Sequence, residues 1–224
     1  MIRMVVFDMA GTTVDEDNVV YKTLQQAINE RGFTVTLAEV LAEGAGKEKR
    51  QAIQSVLLAH GVADAQLIDT LFARFRLLLE AAYRTHPIVE QNKATALFHA
   101  LRQKAIRVVL NTGYDRQTAQ AIIDKIGWQP GVDYDELVTA SDVARSRPHP
   151  DMIQWAMQQG GITDAGEVIK IGDSRIDIEE GKNAGCRFTI GITTGAQTAE
   201  QLQSAHPDFI IDTLMDLVPI IESV

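Results

Sequence analysis

Three aspartates in this sequence stand where a metal ion could be held. Asp8 ends the apolar run Met4–Phe7, and Asp173 and Asp177 follow another apolar run. Clustered carboxylates repel each other unless a hard divalent cation lies among them, and Mg²⁺ prefers carboxylate, water and phosphate oxygens. The pattern therefore predicts a magnesium site, provided that the fold brings the three together. The alternative is that each aspartate caps a helix or starts a turn after its strand.

Two loops offer groups that bind anions. Thr12 lies in the loop after Asp8, and Thr112 and Gly113 follow the apolar run that ends at Leu110. Hydroxyls and backbone N–H groups at the mouths of strands suit a phosphate or phosphonate group. We expect these residues to contact such a substrate. Threonines in loops also cap helices, and that alternative stays open.

Arg147 precedes Pro148, His149 and Pro150, so its loop is stiffened by two prolines. A rigidly held guanidinium group suits the recognition of phosphoryl oxygens. We therefore place Arg147 among the substrate-binding residues. The neighbouring Arg145 illustrates the alternative, an ordinary surface cation.

Lys47 is the candidate nucleophile toward a carbonyl group. It follows Gly44–Gly46, so we expect it in the first turn of a helix, where the helix dipole disfavours an added cation. Lys49 adds like charge nearby. Both effects lower the pKa of an ammonium group, and a lysine must be neutral to attack a carbonyl. Glu43 and Glu48 supply opposite charge, so the alternative is a solvated helix face.

These residues need elements that position them. Apolar runs typical of buried strands occur at 4–7, 106–110, 137–139, 168–171, 188–192 and 209–211. Helical patterns separate them at 92–104, 116–126, 151–159, 176–184 and 199–204, and a last helix ends near residue 221. Such alternation predicts a parallel sheet with helices on both faces. Between the first two strands lie three helical patterns, 18–31, 47–60 and 67–83, and no strand.

The predicted fold class is thus α/β, a Rossmann-like core with a parallel sheet and an inserted all-helical cap domain. The core comprises residues 1–16 and 87–224, and the cap residues 17–86. Ligands of open α/β sheets bind outside the carboxyl ends of the strands. That rule brings the loops at 8–13, 111–115, 141–142 and 172–177 to one edge.

Composition excludes several classes of protein. The chain has 224 residues, 30 acidic and 21 basic side chains and a formal net charge of −9, whereas nucleic-acid binding requires a basic surface. The single cysteine, Cys186, cannot form an internal disulfide, which argues against a secreted disulfide scaffold. The N-terminal apolar run is too short for a signal peptide or a membrane span. We expect a cytoplasmic protein that binds neither membranes nor nucleic acid.

Taken together, these residues resemble the four motifs of the haloacid dehalogenase superfamily, whose members are aspartate-nucleophile phosphotransferases. Residues 8–13 match the first motif, Thr112 the second, Arg147 the third, and Gly172, Asp173 and Asp177 the fourth. The resemblance covers nearly the whole chain. It implies a helical cap over the site, Asp8 as the nucleophile, and Mg²⁺ held by Asp8, the Ala10 carbonyl, Asp173 and Asp177.

Ala10 departs from the common pattern of that superfamily. Most of its phosphatases have an aspartate at this position, which acts as a general acid toward the leaving oxygen. The phosphonatase branch instead has Asp-x-Ala-Gly-Thr, an arginine in the third motif and a cap lysine in a Gly-x-x-Lys spacing, which Gly44–Lys47 reproduces. The resemblance therefore implies hydrolysis of the C–P bond of phosphonoacetaldehyde or a related 2-oxoalkylphosphonate. A protonated Schiff base on Lys47 would be the electron sink.

The match to the phosphonatase branch is incomplete. Glu43 and Arg50 stand where that branch typically has methionine and histidine, so we expect the pocket to differ. One alternative is a phosphomonoesterase that acts on a small phosphorylated metabolite, as phosphoglycolate phosphatases do. Another is a catalytically silent relative that binds phosphorylated ligands. Relatives often pair through their caps, so a homodimer is one option that the resemblance carries.

Overall fold

The computed structural model describes residues 1–91 and 93–223. The strands are β1 (Met4–Asp8), β2 (Val14–Asp15), β3 (Val89–Glu90), β4 (Arg107–Thr112), β5 (Glu136–Thr139), β6 (Val168–Gly172), β7 (Phe188–Ile192) and β8 (Phe209–Ile211). The α-helices are α1 (Val19–Asn29), α2 (Leu37–Gly44), α3 (Lys49–Ala59), α4 (Ala65–Thr85), α5 (Ala94–Gln103), α6 (Arg116–Ile126), α7 (Asp151–Gln159), α8 (Arg175–Ala184), α9 (Ala199–Gln203) and α10 (Leu217–Glu222). Residue 92, the predicted start of the helix at 92–104, and residue 224, the end of the predicted core, lie outside the described residues.

Six strands form one parallel sheet in the order β5-β4-β1-β6-β7-β8. In its middle, Val6 of β1 pairs with Val109 of β4 on one side and with Lys170 of β6 on the other. Every residue of β1 and β6 is buried, as expected where helices cover both faces of a sheet. The α/β fold with a parallel sheet is therefore confirmed.

Helices α1 to α4 follow each other between residues 19 and 85. α1 packs along α4, and α2 packs on α3. The apolar stripes of α1 and α4, including Leu24, Ile28, Leu71 and Phe75, are buried. This helical content fits the predicted cap, whereas the boundaries at 16 and 87 stay a prediction. Over residues 1–91 and 93–223, no helix is both long and apolar enough to cross a membrane.

The chain passes between sheet and helices through a two-stranded ribbon that the sequence analysis missed. β2 and β3 pair antiparallel, with Val14 opposite Glu90 and Asp15 opposite Val89. Next to them, the Gln91 N–H donates to the Thr13 carbonyl at 2.8 Å. Two residues per strand are too few for an alternating pattern to appear in the sequence.

Two helix starts in the α1–α4 segment differ from the prediction. α2 was not expected, and a capping box between Thr36 and Glu39 begins it. α3 begins at Lys49 rather than Lys47, because the Glu48 carboxylate accepts hydrogen bonds from the N–H groups of the two residues after Lys49. The positive end of the α3 dipole therefore acts at Lys49.

Candidate active site

The three aspartates of the predicted metal site lie together at the carboxyl edge of the sheet. Asp8 ends β1, Asp173 follows β6, and Asp177 lies in the first turn of α8. One carboxylate oxygen from each lies within 4.8 Å of the others, and all three residues are buried. The pairing of β1 with β6 brings them together. Three carboxylate oxygens in this space could hold a metal ion.

Glycines allow the loops to pack closely against Asp173. A Cβ atom at Gly11 would lie 2.3 Å from Asp173 Oδ2, and one at Gly195 would lie 2.0 Å from the same oxygen. Gly11 also has a φ of +82°, which side chains other than glycine rarely adopt. The same carboxylate oxygen accepts a hydrogen bond from the Ala196 N–H at 2.6 Å. The loop after β7 thus completes the site, a contribution that the sequence analysis did not foresee.

Arg147 is 1% exposed and is held by hydrogen bonds on three sides. Its Nη1 donates to Asp8 Oδ1 at 2.8 Å and lies 2.9 Å from Asp177 Oδ1. Its Nε donates to Glu180 Oε2 at 3.0 Å, and its Nη2 donates to the Asn111 carbonyl at 2.8 Å. Arg147 is therefore not a surface cation, and its guanidinium group is fixed beside Asp8.

Lys170 is a second fully buried cation, which the sequence analysis missed. Its Nζ lies 2.9 Å from Asp177 Oδ1 and 3.4 Å from Glu180 Oε2. It also donates to Asn111 Oδ1 at 3.2 Å. The signal was available, because a lysine inside the otherwise apolar strand β6 requires buried partners of opposite charge.

The buried charges of this site do not balance. Its ionisable groups are four carboxyl groups and two cationic groups, namely Asp8, Asp173, Asp177 and Glu180 against Arg147 and Lys170. When all are ionised, an excess of two negative charges remains, which is the charge that one divalent cation neutralises. Buried charge of one sign is costly without a counter-charge, so the donor set fits such a cation.

The pKa directions of the three aspartates reflect the same imbalance. Burial raises the pKa of Asp8, and the charge of Asp177 raises it further, against the opposing charge of Arg147. Burial, followed by the charges of Asp8 and Asp177, holds the pKa of Asp173 well above its usual value. Burial also disfavours ionised Asp177, but Arg147 and Lys170 outweigh it, so the pKa of Asp177 lies below its usual value. A bound cation favours the ionised form of all three.

The loop after β1 folds tightly on itself and leaves one hydroxyl unused. The N–H groups of Thr12, Thr13 and Val14 all donate to the Met9 carbonyl. The Thr13 hydroxyl donates to the Asp8 carbonyl at 2.9 Å. By contrast, the buried Thr12 hydroxyl has no hydrogen-bond partner among residues 1–91 and 93–223. A ligand oxygen would relieve the cost of an unpaired buried hydroxyl, which fits the predicted anion site.

Two further predicted residues lie in loops at this edge. Ala10, whose carbonyl is predicted to bind the metal, forms an isolated β-bridge with Val14. Thr112 ends β4, and its hydroxyl accepts a hydrogen bond from the Tyr114 N–H at 3.2 Å. The structure brings four of the predicted residues together, namely Asp8, Asp173, Asp177 and Arg147. Thr12 lies in the loop after β1, and Thr112 is the last residue of β4.

A family model described as haloacid dehalogenase-like hydrolase matches residues 5–191, which span most of the chain. This protein belongs to that family. It is therefore a hydrolase. In this haloacid dehalogenase-like hydrolase, the matched region includes Asp8, Arg147 and the aspartates after β6.

Its relatives carry two kinds of name. The chain is 27% identical to a phosphonoacetaldehyde hydrolase from Paraburkholderia xenovorans, covering 98% of this chain and 94% of that protein. It is 23% identical to a phosphoglycolate phosphatase from Vibrio parahaemolyticus, covering 98% and 96%. A solved phosphonoacetaldehyde hydrolase-like protein from Oleispira antarctica superposes with a TM-score of 0.86 at 23% identity, covering 99% and 92%, which supports the fold.

Gly113 is the point where this hydrolase's sheet touches the loop before α3. A Cβ atom at Gly113 would lie 2.9 Å from the carbonyl oxygens of both Gly46 and Lys47. On the same side, Arg147 Nη1 lies 3.5 Å from the Gly46 carbonyl. A hydrogen bond to α1 also fixes the loop, since the Gly46 N–H donates to the Tyr21 hydroxyl at 3.0 Å. The helices therefore close directly over the sheet edge.

Lys47 makes a side-chain contact within the α1–α4 segment. Its half-buried ammonium group donates to the Ser55 hydroxyl at 2.9 Å. Burial lowers the pKa of Lys47, and the charges that act on it are those of Glu43, Arg175 and Glu179. The structure therefore does not bring Lys47 together with Asp8, and its predicted role stays a prediction.

Lys49 is the more buried of the two lysines near the start of α3. It is 7% exposed, and its Nζ donates to the Lys47 carbonyl at 2.8 Å. The same atom lies 5.3 Å from the centre of the Tyr21 ring and 5.0 Å from that of Tyr114, positions typical of cation–π contacts. Burial lowers the pKa of Lys49, and the largest opposing effect is the negative charge of Asp8. The sequence analysis noted Lys49 only as a like charge beside Lys47.

A cavity of about 1000 Å³ lies between α4 and the start of α6. Lys49, Tyr83, Gly113 and Tyr114 line it, together with apolar residues of α4 such as Phe72. Cavities of this size hold ligands larger than a two-carbon compound. The lysine thus has access to a space that can take an organic substrate.

Proposed function

We propose that this protein hydrolyses the C–P bond of a 2-oxoalkylphosphonate such as phosphonoacetaldehyde. One observation carries the proposal: a buried lysine, Lys49, lines a cavity beside Gly113 at the sheet edge, in a protein whose position 10 is an alanine. An alanine cannot protonate the leaving oxygen of a phosphate ester. A lysine imine, in contrast, makes an acid at that position unnecessary, because the leaving group is then an enamine.

The proposed reaction begins with the formation of an imine. The lysine amine adds to the substrate carbonyl, and the adduct takes up one proton and loses water, which forms a protonated imine. Asp8 attacks phosphorus, the C–P bond breaks, and its electron pair moves into the imine to give an enamine. Water then hydrolyses the aspartyl phosphate, and protonation and hydrolysis of the enamine free the lysine. Arg147, which donates to Asp8, counters the charge on the transferring group.

Mg²⁺ is part of this proposal because the oxygen donors of the site suit this ion. Asp8, the Ala10 carbonyl, Asp173 and Asp177 would hold the ion. When bound, it would neutralise the excess negative charge and polarise a phosphonate oxygen. The unpaired Thr12 hydroxyl supports the placement of the phosphonate group beside it.

The assignment of the imine lysine favours Lys49 over the predicted Lys47. Lys49 is the more buried of the two, and it lines the cavity together with Tyr114. A fall in the pKa of an ammonium group raises the fraction of neutral amine that can add to a carbonyl. The neighbouring Lys47 provides a matched control, because it carries the same charge on the same loop.

A phosphomonoesterase is the second candidate function. The relationship to a phosphoglycolate phosphatase supports it, and the Asp8 and Arg147 cluster would serve phosphoryl transfer from an ester equally well. Ala10 argues against it, because the general acid is missing. If this protein is an esterase, Ala10→Asp should raise ester hydrolysis by about 10²-fold or more, while Lys49→Arg should leave it unchanged.

The test is inorganic phosphate release, in the presence of Mg²⁺, from phosphonoacetaldehyde, from 2-oxoalkylphosphonates with longer chains and from small phosphate esters. The proposal expects release from the carbonyl phosphonates, and borohydride should trap the imine on a peptide that contains Lys49. Lys49→Arg should abolish both signals and Lys47→Arg should retain them. Release from esters alone would overturn the proposal, and loss of both signals only in Lys47→Arg would return the role to Lys47.

A further inference from the structure

Glu16 is a buried carboxyl group that the mechanism above does not use. It lies between β2 and α1, where the chain leaves the sheet, and is 3% exposed. It accepts hydrogen bonds from the hydroxyl of Tyr83, in the last turns of α4, and from that of Tyr114, in the loop after β4, the latter at 2.9 Å. The hydroxyl oxygens of Tyr83 and Tyr114 lie 3.2 Å apart.

No cation forms a salt bridge with Glu16 in the part of the chain that the structure describes. The groups that face it are Tyr83 from α4, Tyr114 from the loop after β4 and Lys49 from α3, and its charge also acts on Tyr21 of α1. Burial raises the pKa of Glu16 to about 7, against the smaller effects of the two tyrosine hydrogen bonds and of Lys49. Glu16 therefore exchanges a proton readily near neutral pH.

The hydroxyl partners of Glu16 also line the cavity that Lys49 enters. Tyr83, Tyr114 and Lys49 are all lining residues, and Lys49 Nζ lies 5.0 Å from the centre of the Tyr114 ring. Among the described residues, Glu16 is not one of those that line the cavity. Tyr114 thus links the two, since its hydroxyl is hydrogen-bonded to Glu16 and its side chain lines the cavity beside Lys49.

We propose that Glu16 stores the proton used in imine formation at Lys49 and delivers it through the Tyr114 hydroxyl. This inference rests on the proposed function. When the lysine amine has added to the carbonyl, the resulting hydroxyl leaves as water after it takes a proton from Tyr114. Tyr114 recovers that proton from the Glu16 carboxyl group. The products of the step are the protonated imine, one water and the Glu16 carboxylate.

The proton returns later in the cycle. When water adds to the imine of the product, it loses a proton, which passes through Tyr114 back to Glu16. Protonation of the enamine carbon uses a proton from solvent, and hydrolysis of the aspartyl phosphate releases one to solvent. Glu16 acts through Tyr114 and does not touch the substrate, so it is a positioning and relay residue.

The experiment compares Glu16→Gln, Tyr114→Phe and Tyr83→Phe with the unaltered protein, using phosphonoacetaldehyde. Glu16→Gln and Tyr114→Phe should each slow imine trapping and phosphate release by about 100-fold. Glu16→Gln should also remove the limb of the pH–rate profile near pH 7, whereas Glu16→Asp should restore part of it. Tyr83→Phe leaves the hydrogen bond between Glu16 and Tyr114 intact and is the matched control. Its rates of imine trapping and phosphate release should fall only severalfold.

A structural role would give a different result. Acetyl phosphate hydrolysis requires Asp8 and no imine, so an equal loss of this activity in Glu16→Gln would overturn the relay. An unchanged pH profile in Glu16→Gln would do the same. If Glu16→Gln does not fold, full activity of Tyr114→Phe decides against the proposal. If the unaltered protein forms no imine, the proposed function fails first, and the relay fails with it.

Discussion

The aspartate cluster at the sheet edge and the lysine region beneath the helices are both buried, but they are built by different means. The cluster stands on strand ends, and the pairing of β1 with β6 alone brings Asp8 beside Asp173. The lysine region draws on α1, α3, α4 and two loops, and aromatic rings rather than opposite charges surround Lys49. The first region is highly charged, and the second places the ammonium group of Lys49 against two aromatic rings.

This difference matches the two halves of the proposed reaction. Phosphoryl transfer requires fixed charges around a phosphorus atom, which buried ion pairs on strands provide. Imine chemistry requires amine and carboxyl groups that change protonation near neutral pH, which burial among apolar and aromatic groups provides. Changes in one region should therefore affect one half of the reaction and spare the other.

The largest effect is expected from Asp8→Asn. Because the amide cannot attack phosphorus, phosphate release from phosphonoacetaldehyde should fall by about 10⁴-fold or more. Borohydride trapping of the imine should persist in this variant, since the lysine region is unchanged. Loss of trapping together with turnover would show that the two regions are not separable.

Lys170→Met should have the next largest effect, and it acts on stability. The substitution leaves Asp177 and Glu180 without one of their two cations, and breaking a buried pair costs about 3–5 kcal/mol. Urea unfolding measures this loss. The control is Arg145→Met, which breaks an exposed pair with Asp151 and should cost less than about 1 kcal/mol. Equal urea midpoints for Lys170→Met and Arg145→Met would show that the buried ion pairs of Lys170 stabilise the protein no more than an exposed pair does.

Glu16 predicts how stability changes with pH. Its pKa is raised from 4.5 to about 7, so the folded state binds more protons than the unfolded state in that range. Stability should therefore fall as the pH rises from about 4.5 to 7, by about 3 kcal/mol. Glu16→Gln should remove this fall. Parallel stability curves for the two proteins over that range would show that Glu16 titrates normally.

The smallest effect is expected from Tyr21→Phe. This change removes the acceptor of the buried Gly46 N–H, which costs about 1–3 kcal/mol. The loop that precedes Lys49 should loosen, so imine trapping should slow while acetyl phosphate hydrolysis remains. Unfolding curves and the two assays together measure this. Unchanged trapping would mean that the loop is held in place by its contact with Gly113 alone.

The sheet and the aspartates were predictable from sequence because each depends on a local signal. A short apolar run that ends in a carboxylate indicates a buried strand with a polar residue at its mouth, and parallel strands share one carboxyl edge. Lys170 was missed although its signal is local, because the run around it was apolar enough to be treated as a strand without functional residues. Its partners come from α8 and from strand β4.

Which of the two lysines is buried was harder to predict, because it depends on where a helix begins. Glu48 caps α3, so the helix starts at Lys49, and a shift of two residues changes which ammonium group is buried. Glu16 gave no signal at all. Its partners, Tyr83 and Tyr114, are distant in sequence, and only the tertiary fold brings their hydroxyls to one carboxyl group.

The contact at Gly113 also limits how much the distance between the sheet edge and the loop before α3 can change. Two backbones meet there with no side chain between them, since a Cβ atom would lie 2.9 Å from the carbonyl oxygens of Gly46 and Lys47. The clearance between the two halves is thus smaller than one methyl group. Lys49 follows Lys47 by two residues in the sequence, so in the proposed reaction the same narrow gap limits the distance between its amine and Asp8.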